Sequence, residues 1–179
     1  MAQLARRGTG AAVVISAGFG GESGKKLKQD MLNAAQPHLL RIAGPNCVGL
    51  LVPAIGLNAS FAHMAPAKGS IAFLTQSGAI LTSVLDWAAA RNIGFSHLIS
   101  MGEMADVDFG DMLDYLAGDP STRAVLLYME AVTNARKFMS AARRCARLKP
   151  VIVIKAGRHA AAAQAVISHT GALAGSDEV

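Results

Sequence analysis

Apolar positions fall into short continuous runs, and between them lie stretches with a helical repeat. Residues 10–16 (GAAVVIS) are one such run, ending in Ala17-Gly18-Phe19-Gly20-Gly21. An uninterrupted apolar run that leads into glycines predicts a buried parallel strand followed by a glycine-rich turn. Residues 22–36 then set Leu27, Met31, Leu32 and Ala35 on one face with lysines opposite, which predicts a helix stopped at Pro37. Residues 39–43 predict a second strand, entering Gly44-Pro45-Asn46-Cys47-Val48-Gly49. Residues 58–68 read as a linker, with Pro66 and the turn pair Lys68-Gly69.

A second alternation follows. Residues 70–74 predict a strand, Thr75-Gln76-Ser77-Gly78 a tight turn, and residues 79–91 a helix closed by Gly94. Further strands are predicted at 95–100, 124–129 and 151–155, with helices at 109–117 and 134–148. Four strands alternating with three helices argue for a flavodoxin-like parallel sheet. The chain is therefore divided into a first unit, residues 1–62, and a second, residues 63–179. The first unit opens on what reads as a helix end, with no earlier strand, so it is taken as the back half of a nucleotide-binding-type domain.

Composition narrows the function. The chain has 179 residues, 52% of them hydrophobic and 16% charged, enough to bury a core. The formal charge of +5 permits an anionic ligand, but the basic residues are dispersed and aromatics amount to only 5%, which argues against a nucleic-acid surface. Cys47 and Cys145 have no metal-ligand spacing, and no apolar run is long enough for a membrane span. A reduced, cytoplasmic setting is expected.

Candidate chemistry gathers at strand ends, where residues 17–21 and 44–49 are candidate binding loops. Leu74-Thr75-Gln76-Ser77-Gly78-Ala79 turns a strand directly into a helix, so helix N–H groups would face outward as an anion site, although capping alone also accounts for Ser-Gly there. Glu130 directly follows an apolar strand. It could fix a histidine tautomer by hydrogen bonding, or be an ordinary solvated strand-end carboxylate. Asp106, Asp108 and Asp111 suit helix N-capping better than a metal site. Cys47 lacks a histidine placed to activate it and is expected to pack or to touch a ligand. His63 is expected to be solvated in the linker, and Cys145 and Met139 to belong to the core. Ala165-Val166-Ile167-Ser168-His169-Thr170-Gly171-Ala172-Leu173-Ala174-Gly175-Ser176-Asp177 surrounds one histidine with small and hydroxyl residues. Such a loop could offer His169 as a nucleophile toward a phosphoryl or acyl group, or be a plain surface loop.

Several of these stretches occur together in one family. Gly44-Pro45-Asn46-Cys47-Val48-Gly49, Asn58-Ala59-Ser60-Phe61, Gln76-Ser77-Gly78-Ala79 and Ala105-Asp106-Val107-Asp108-Phe109-Gly110-Asp111 carry the likeness. So do Lys149-Pro150-Val151-Ile152, Lys155-Ala156-Gly157-Arg158 and the histidine loop. The chain resembles the ADP-forming acyl-CoA synthetases (acetate–CoA ligases), relatives of the succinyl-CoA synthetase α subunit. The fold this implies is α/β: the C-terminal half of a Rossmann-like CoA-binding domain, then a truncated flavodoxin-like succinyl-CoA-ligase domain. The resemblance also implies an acid–thiol ligase working through a phosphohistidine at His169, with Glu130 holding the histidine. Ser77, Gly78, Ala79 and Gly171 would bind the phosphoryl group, and Gly18, Phe19, Asn46 and Cys47 would lie along the path of coenzyme A. ATP or ADP with Mg2+ would sit on an ATP-grasp domain or β subunit outside this sequence, in an oligomeric enzyme. Glu103 stands where members of the family often carry Asn. A longer ligase, of which this chain is part and without which it would not turn over, is the expectation. The alternative is a CoA-binding regulatory domain of an acetyltransferase-type fusion.

Overall fold

The computed structural model describes residues 1–157. After a short helix α1 (Ala2–Arg6), strand β1 (Ala11–Val13), helix α2 (Gly21–Ala35) and strand β2 (Arg41–Ala43) form a parallel β–α–β unit with its own two-stranded sheet. This is the element expected of the back half of a Rossmann-like domain. Both strands are shorter than the apolar runs that predicted them. The ladder is nevertheless continued by loop bonds, Val14 N to Ala43 O and Asn46 N to Ser16 O, both at 2.9 Å.

The next segment departs from expectation. Strand β3 (Gly49–Val52) and strand β4 (Leu57–Ser60) form an antiparallel hairpin, so the supposed linker at 58–68 begins inside a strand. The sequence hides β4 because Leu57-Asn58-Ala59-Ser60 is only four residues long and has none of the β-branched or aromatic residues that favour strands. Its geometry comes from its neighbours. A 3-10 turn at Pro53–Ile55 and the left-handed Gly56 (φ +69°) reverse the chain. Asn58 Oδ1 then accepts from both the amide (3.1 Å) and the hydroxyl (2.6 Å) of Ser60.

This hairpin belongs to the larger sheet, not to the small one. Strand order there is β4-β3-β6-β5-β7-β8, with β5 (Lys68–Thr75), β6 (Phe95–Ser100), β7 (Ala124–Met129) and β8 (Val151–Lys155) mutually parallel and β3 antiparallel to β6. Within the parallel set the second strand lies outside the first, and the third and fourth follow on the other side. That is the flavodoxin-like winding expected from the sequence. Helix α3 (Gly78–Ala89) covers one face and helices α4 (Phe109–Gly118) and α5 (Ala135–Leu148) the other.

The burial pattern follows from this sandwich. Every residue of β6 is buried, as a strand covered on both faces requires. Leu81 and Leu85 of α3 pack with Phe73 and Leu98, whereas Leu113 and Leu116 of α4 pack with Leu74 and Val125 across the sheet. Each such fully buried leucine contributes about 1.5–3 kcal/mol. Cys145 joins that second cluster as expected, but Met139 is exposed on α5 rather than in the core. A separate cluster of Phe19, Met31, Ala35, Leu40 and Ile42 holds the small unit together. No helix among the described residues is long and apolar enough to cross a membrane.

Candidate active-site cleft

The parallel strands change winding direction between β5 and β7. In such sheets the connections leave in opposite directions at that point, and a crevice opens beyond the strands' carboxyl ends. Thr75-Gln76-Ser77 leaves β5 there and Glu130 follows β7. Gln76 ties the two ends together: its amide donates to Tyr128 O at 3.2 Å. Its side-chain Oε1 accepts from Glu130 N at 2.6 Å and from Ala131 N at 2.9 Å.

Beside Gln76, Ser77 is the N-cap of α3, its hydroxyl accepting from Ile80 N at 3.3 Å. The Ser77 carbonyl takes Leu81 N. Gly78 and Ala79 carry the other amide donors of the first turn, at the positive end of the helix dipole. Gly78 packs so closely on Val48 that a β-carbon would meet the valine methyl, which seats the helix start on the Gly44–Gly49 loop. The Ser-Gly turn therefore caps the helix, the plainer of the two roles its sequence allowed.

The crevice is a cleft of about 470 Å³. Gly18 and Phe19 form one wall, Asn46 and Gly102 another, and Gln76 and Glu130 lie at the sheet edge, with Lys28 and Glu103 also lining it. Residues from both units thus meet in one place. The close approach of the two inner loops depends on Gly102, which has φ +57° and whose hypothetical β-carbon would overlap the Pro45 carbonyl. Glu103 N donates to that same carbonyl at 2.9 Å. Phe19 is buried in the small unit's core and also lines the cleft. Gly24 of α2 allows this, because any side chain there would strike the Phe19 backbone.

Charge is arranged in pairs. Lys28 Nζ lies 3.0 Å from Glu103 Oε2, joining α2 to the loop after β6. Glu130 is buried to 8% exposure. Burial, with the Glu130 charge next to it, pushes the Tyr128 hydroxyl above its ordinary value. Cys47 lies behind Asn46: its thiol donates to Val14 O at 3.3 Å, and burial pushes its pKa up, so it stays a thiol packed under the loop. Asp108 and Asp111 form a reciprocal capping box on α4, as their spacing suggested. Asp106 accepts from Ile42 N at 2.7 Å and pairs with Arg41. No cluster of residues able to hold a metal occurs among the described residues. His63, expected to be solvated, is half exposed with Nε2 2.6 Å from Asp86 Oδ1.

Gly18, Phe19, Asn46 and Glu130 are therefore brought together, Ser77, Gly78 and Ala79 adjoin them through Gln76, and Cys47 is set back. His169 and Gly171 lie outside the described residues, as does Arg158. The sequence reading missed the clamp by Gln76 and the Lys28–Glu103 pair. Neither has a local signal, since the partners are 54 and 75 positions apart.

A doubly wound parallel sheet with a cleft at its switch point, beside a capped helix start, defines an α/β protein of the flavodoxin-like type. The chain belongs to the succinyl-CoA ligase like flavodoxin domain family, whose family model matches residues 68–179. It is 47% identical over 98% of its length to ADP-forming acetate–CoA ligase I of Archaeoglobus fulgidus. It is 41% identical over 99% of its length to the α subunit of ADP-forming acetate–CoA ligase I of Pyrococcus furiosus. Among solved structures, acetyl-coenzyme A synthetase 1 of Ca. Korarchaeum cryptofilum in complex with phosphate and ADP superposes with a TM-score of 0.88 at 37% identity, over 96% of this chain and 38% of that one. The chain spans 26% of the first of these curated relatives and 39% of the second.

Proposed function

We propose that this chain is the acyl-CoA-handling and phosphohistidine-bearing part of an ADP-forming acid–thiol ligase. The overall reaction interconverts acyl-CoA, ADP and phosphate with carboxylic acid, CoA and ATP. The observation that carries the reading is the cleft joining Gly18, Phe19 and Asn46 of the first unit to Gln76 and Glu130 of the second, with the Ser77 cap of α3 next in the chain to Gln76.

Chemically, a phosphate oxygen attacks the thioester carbonyl and CoA leaves as its thiol, giving an acyl phosphate. A neutral ring nitrogen of His169 then attacks phosphorus, and the P–O bond to the acyl oxygen breaks, releasing carboxylate. The phosphoryl group passes from nitrogen to ADP held on an ATP-grasp module, with Mg2+ accompanying the nucleotide. Backbone amides at Ser77, Gly78 and Ala79, with Gly171 on the histidine loop, would meet the phosphoryl charge as preorganised dipoles. Glu130 would accept from the other ring nitrogen, fixing the tautomer and supporting the cationic character that develops. Gly18, Phe19 and Asn46 would lie along the CoA path, with Cys47 supporting that loop from behind. A cytoplasmic, oligomeric enzyme fits this metabolism. The relatives named above are ligases, so a CoA-binding regulatory domain of an acetyltransferase-type fusion has no support from them.

The test is intact mass at alkaline pH after incubation with Mg-ATP and an ATP-grasp partner. An acid-labile phosphoryl adduct that His169→Asn abolishes is expected. A folded, adduct-free protein would overturn the reading.

A further inference from the structure

We infer that Gln76 is the positioning residue for Glu130, its side-chain carbonyl clamping the backbone that carries the carboxylate. The inference rests on the role proposed for Glu130. Strand β7 ends at Met129, so the amides of Glu130 and Ala131 leave the ladder at the edge of the cleft. Buried amides need acceptors. A single side-chain oxygen, from the residue that follows β5, takes both, at 2.6 and 2.9 Å. Two N–H donors facing one atom also settle which end of the Gln76 amide faces them, since only Oε1 accepts.

Gln76 itself is tightly held. Its own amide bonds to Tyr128 O, and the residues on either side are locked to each other, with Ser77 N donating to Thr75 Oγ1 at 3.0 Å. The strand before it is anchored too, because Met101 N donates to Thr75 O at 2.7 Å. The clamp therefore transmits the position of the sheet to Glu130. Because Gln76 immediately precedes the Ser77 cap, the same residue also fixes the distance between the carboxylate and the start of α3. These are the two groups that the phosphoryl and its histidine would have to engage together.

The experiment uses the full-length protein with its nucleotide-binding module and compares Gln76→Met, which keeps length but has no acceptor, with Gln76→Glu, which keeps an acceptor. Readouts are single-turnover phosphorylation by ATP across pH and amide exchange at Glu130 and Ala131. Gln76→Met is expected to slow phosphorylation by about tenfold or more, as misplacement of a reacting group by an ångström does, with KM for ATP unchanged and faster exchange at both amides. Gln76→Glu is expected to hold the amides and keep most of the alkaline rate. Its acid limb should move to higher pH, because a second carboxylate nearby disfavours the charged form of Glu130. A Gln76→Met enzyme as fast as the unsubstituted one overturns the inference. So do equal losses in both variants that track their melting temperatures with an unmoved pH profile. If the unsubstituted protein takes no phosphate, the proposed function falls, and amide exchange alone decides the clamp: faster in Gln76→Met supports it, unchanged overturns it.

Discussion

His97 is a buried residue with no part in the cleft, and it gives this protein a pH dependence of its own. The ring is 4% exposed, stacked edge-on to Tyr115 with centroids 5.6 Å apart. Thr122 Oγ1 approaches Nδ1 at 3.4 Å and Tyr115 OH approaches Nε2 at 3.5 Å, while Thr122 is also bonded to Ser96. Burial lowers the imidazole pKa, opposed by the Asp119 carboxylate at 3.6 Å and reinforced by Lys149. The folded pKa thus lies below the unfolded value of about 6.5. Between those two values the unfolded chain binds the extra proton. This contribution to stability is therefore complete above about pH 6.5 and lost as pH falls through the folded value. Denaturant unfolding of His97→Gln followed from pH 8 to pH 5 is expected to show a flatter acid decline than the unsubstituted protein. Identical slopes would remove His97 as the cause.

At the scale of elements, legibility tracked whether the information was local. The strands β6, β7 and β8 were found to the residue because short segments of mostly apolar residues bounded by turns need no partner to be recognised. The start of α4 was equally clear: Asp108 and Asp111 lie three apart before an apolar run, and both halves of the capping box are formed. Asp108 also accepts from Thr133 Oγ1 at 3.2 Å and pairs with Lys137 Nζ at 3.0 Å, so one side chain serves two helices. Asp108→Ala is expected to cost about 1–2 kcal/mol in chemical denaturation, with Asp108→Asn retaining most of it because Asn caps as well as Asp. Equal losses in the two variants would mean that the charge, not the cap, matters. Strand β4 and the Gln76 clamp were not legible, because each is defined by a partner elsewhere in the chain. A carbonyl that accepts from residues 54 positions away leaves no periodicity behind. Of the candidate site, strand-end placement identified Glu130, the Ser77 turn and the loops at 17–21 and 44–49, and the assignment of those two loops to coenzyme A came from resemblance.

On the scale of the molecule, the small unit is joined to the large one through the Asp106 loop as well as through the cleft. Asp106 accepts from Ile42 N and from Arg41 Nε at 3.0 Å, and Arg41 reaches Asp111 at 3.3 Å. The exposed half of this arrangement matters little, since a solvated ion pair contributes only about 0–1 kcal/mol. The amide of Ile42 is different: in Asp106→Ala it loses its acceptor, at an expected cost of about 1–3 kcal/mol. Asp106→Asn should be close to neutral. Hydrogen exchange checks this at the right place, with faster exchange expected across β1 and β2 in the alanine variant alone. Uniform change across the whole chain would deny that Asp106 fastens the small unit in particular.

The β3–β4 hairpin has a consequence for how such proteins can be taken apart. It comes from sequence that precedes residue 62, yet it completes the edge of the larger sheet and, with Val48 just before it, contributes Leu51 to that sheet's core. A gene divided at the apparent seam between the two units would release a second half with β6 uncovered along one side. Exchange of the first unit between relatives, by recombination or by design, must therefore carry the hairpin with the half it completes. The workable crossover falls before Val48.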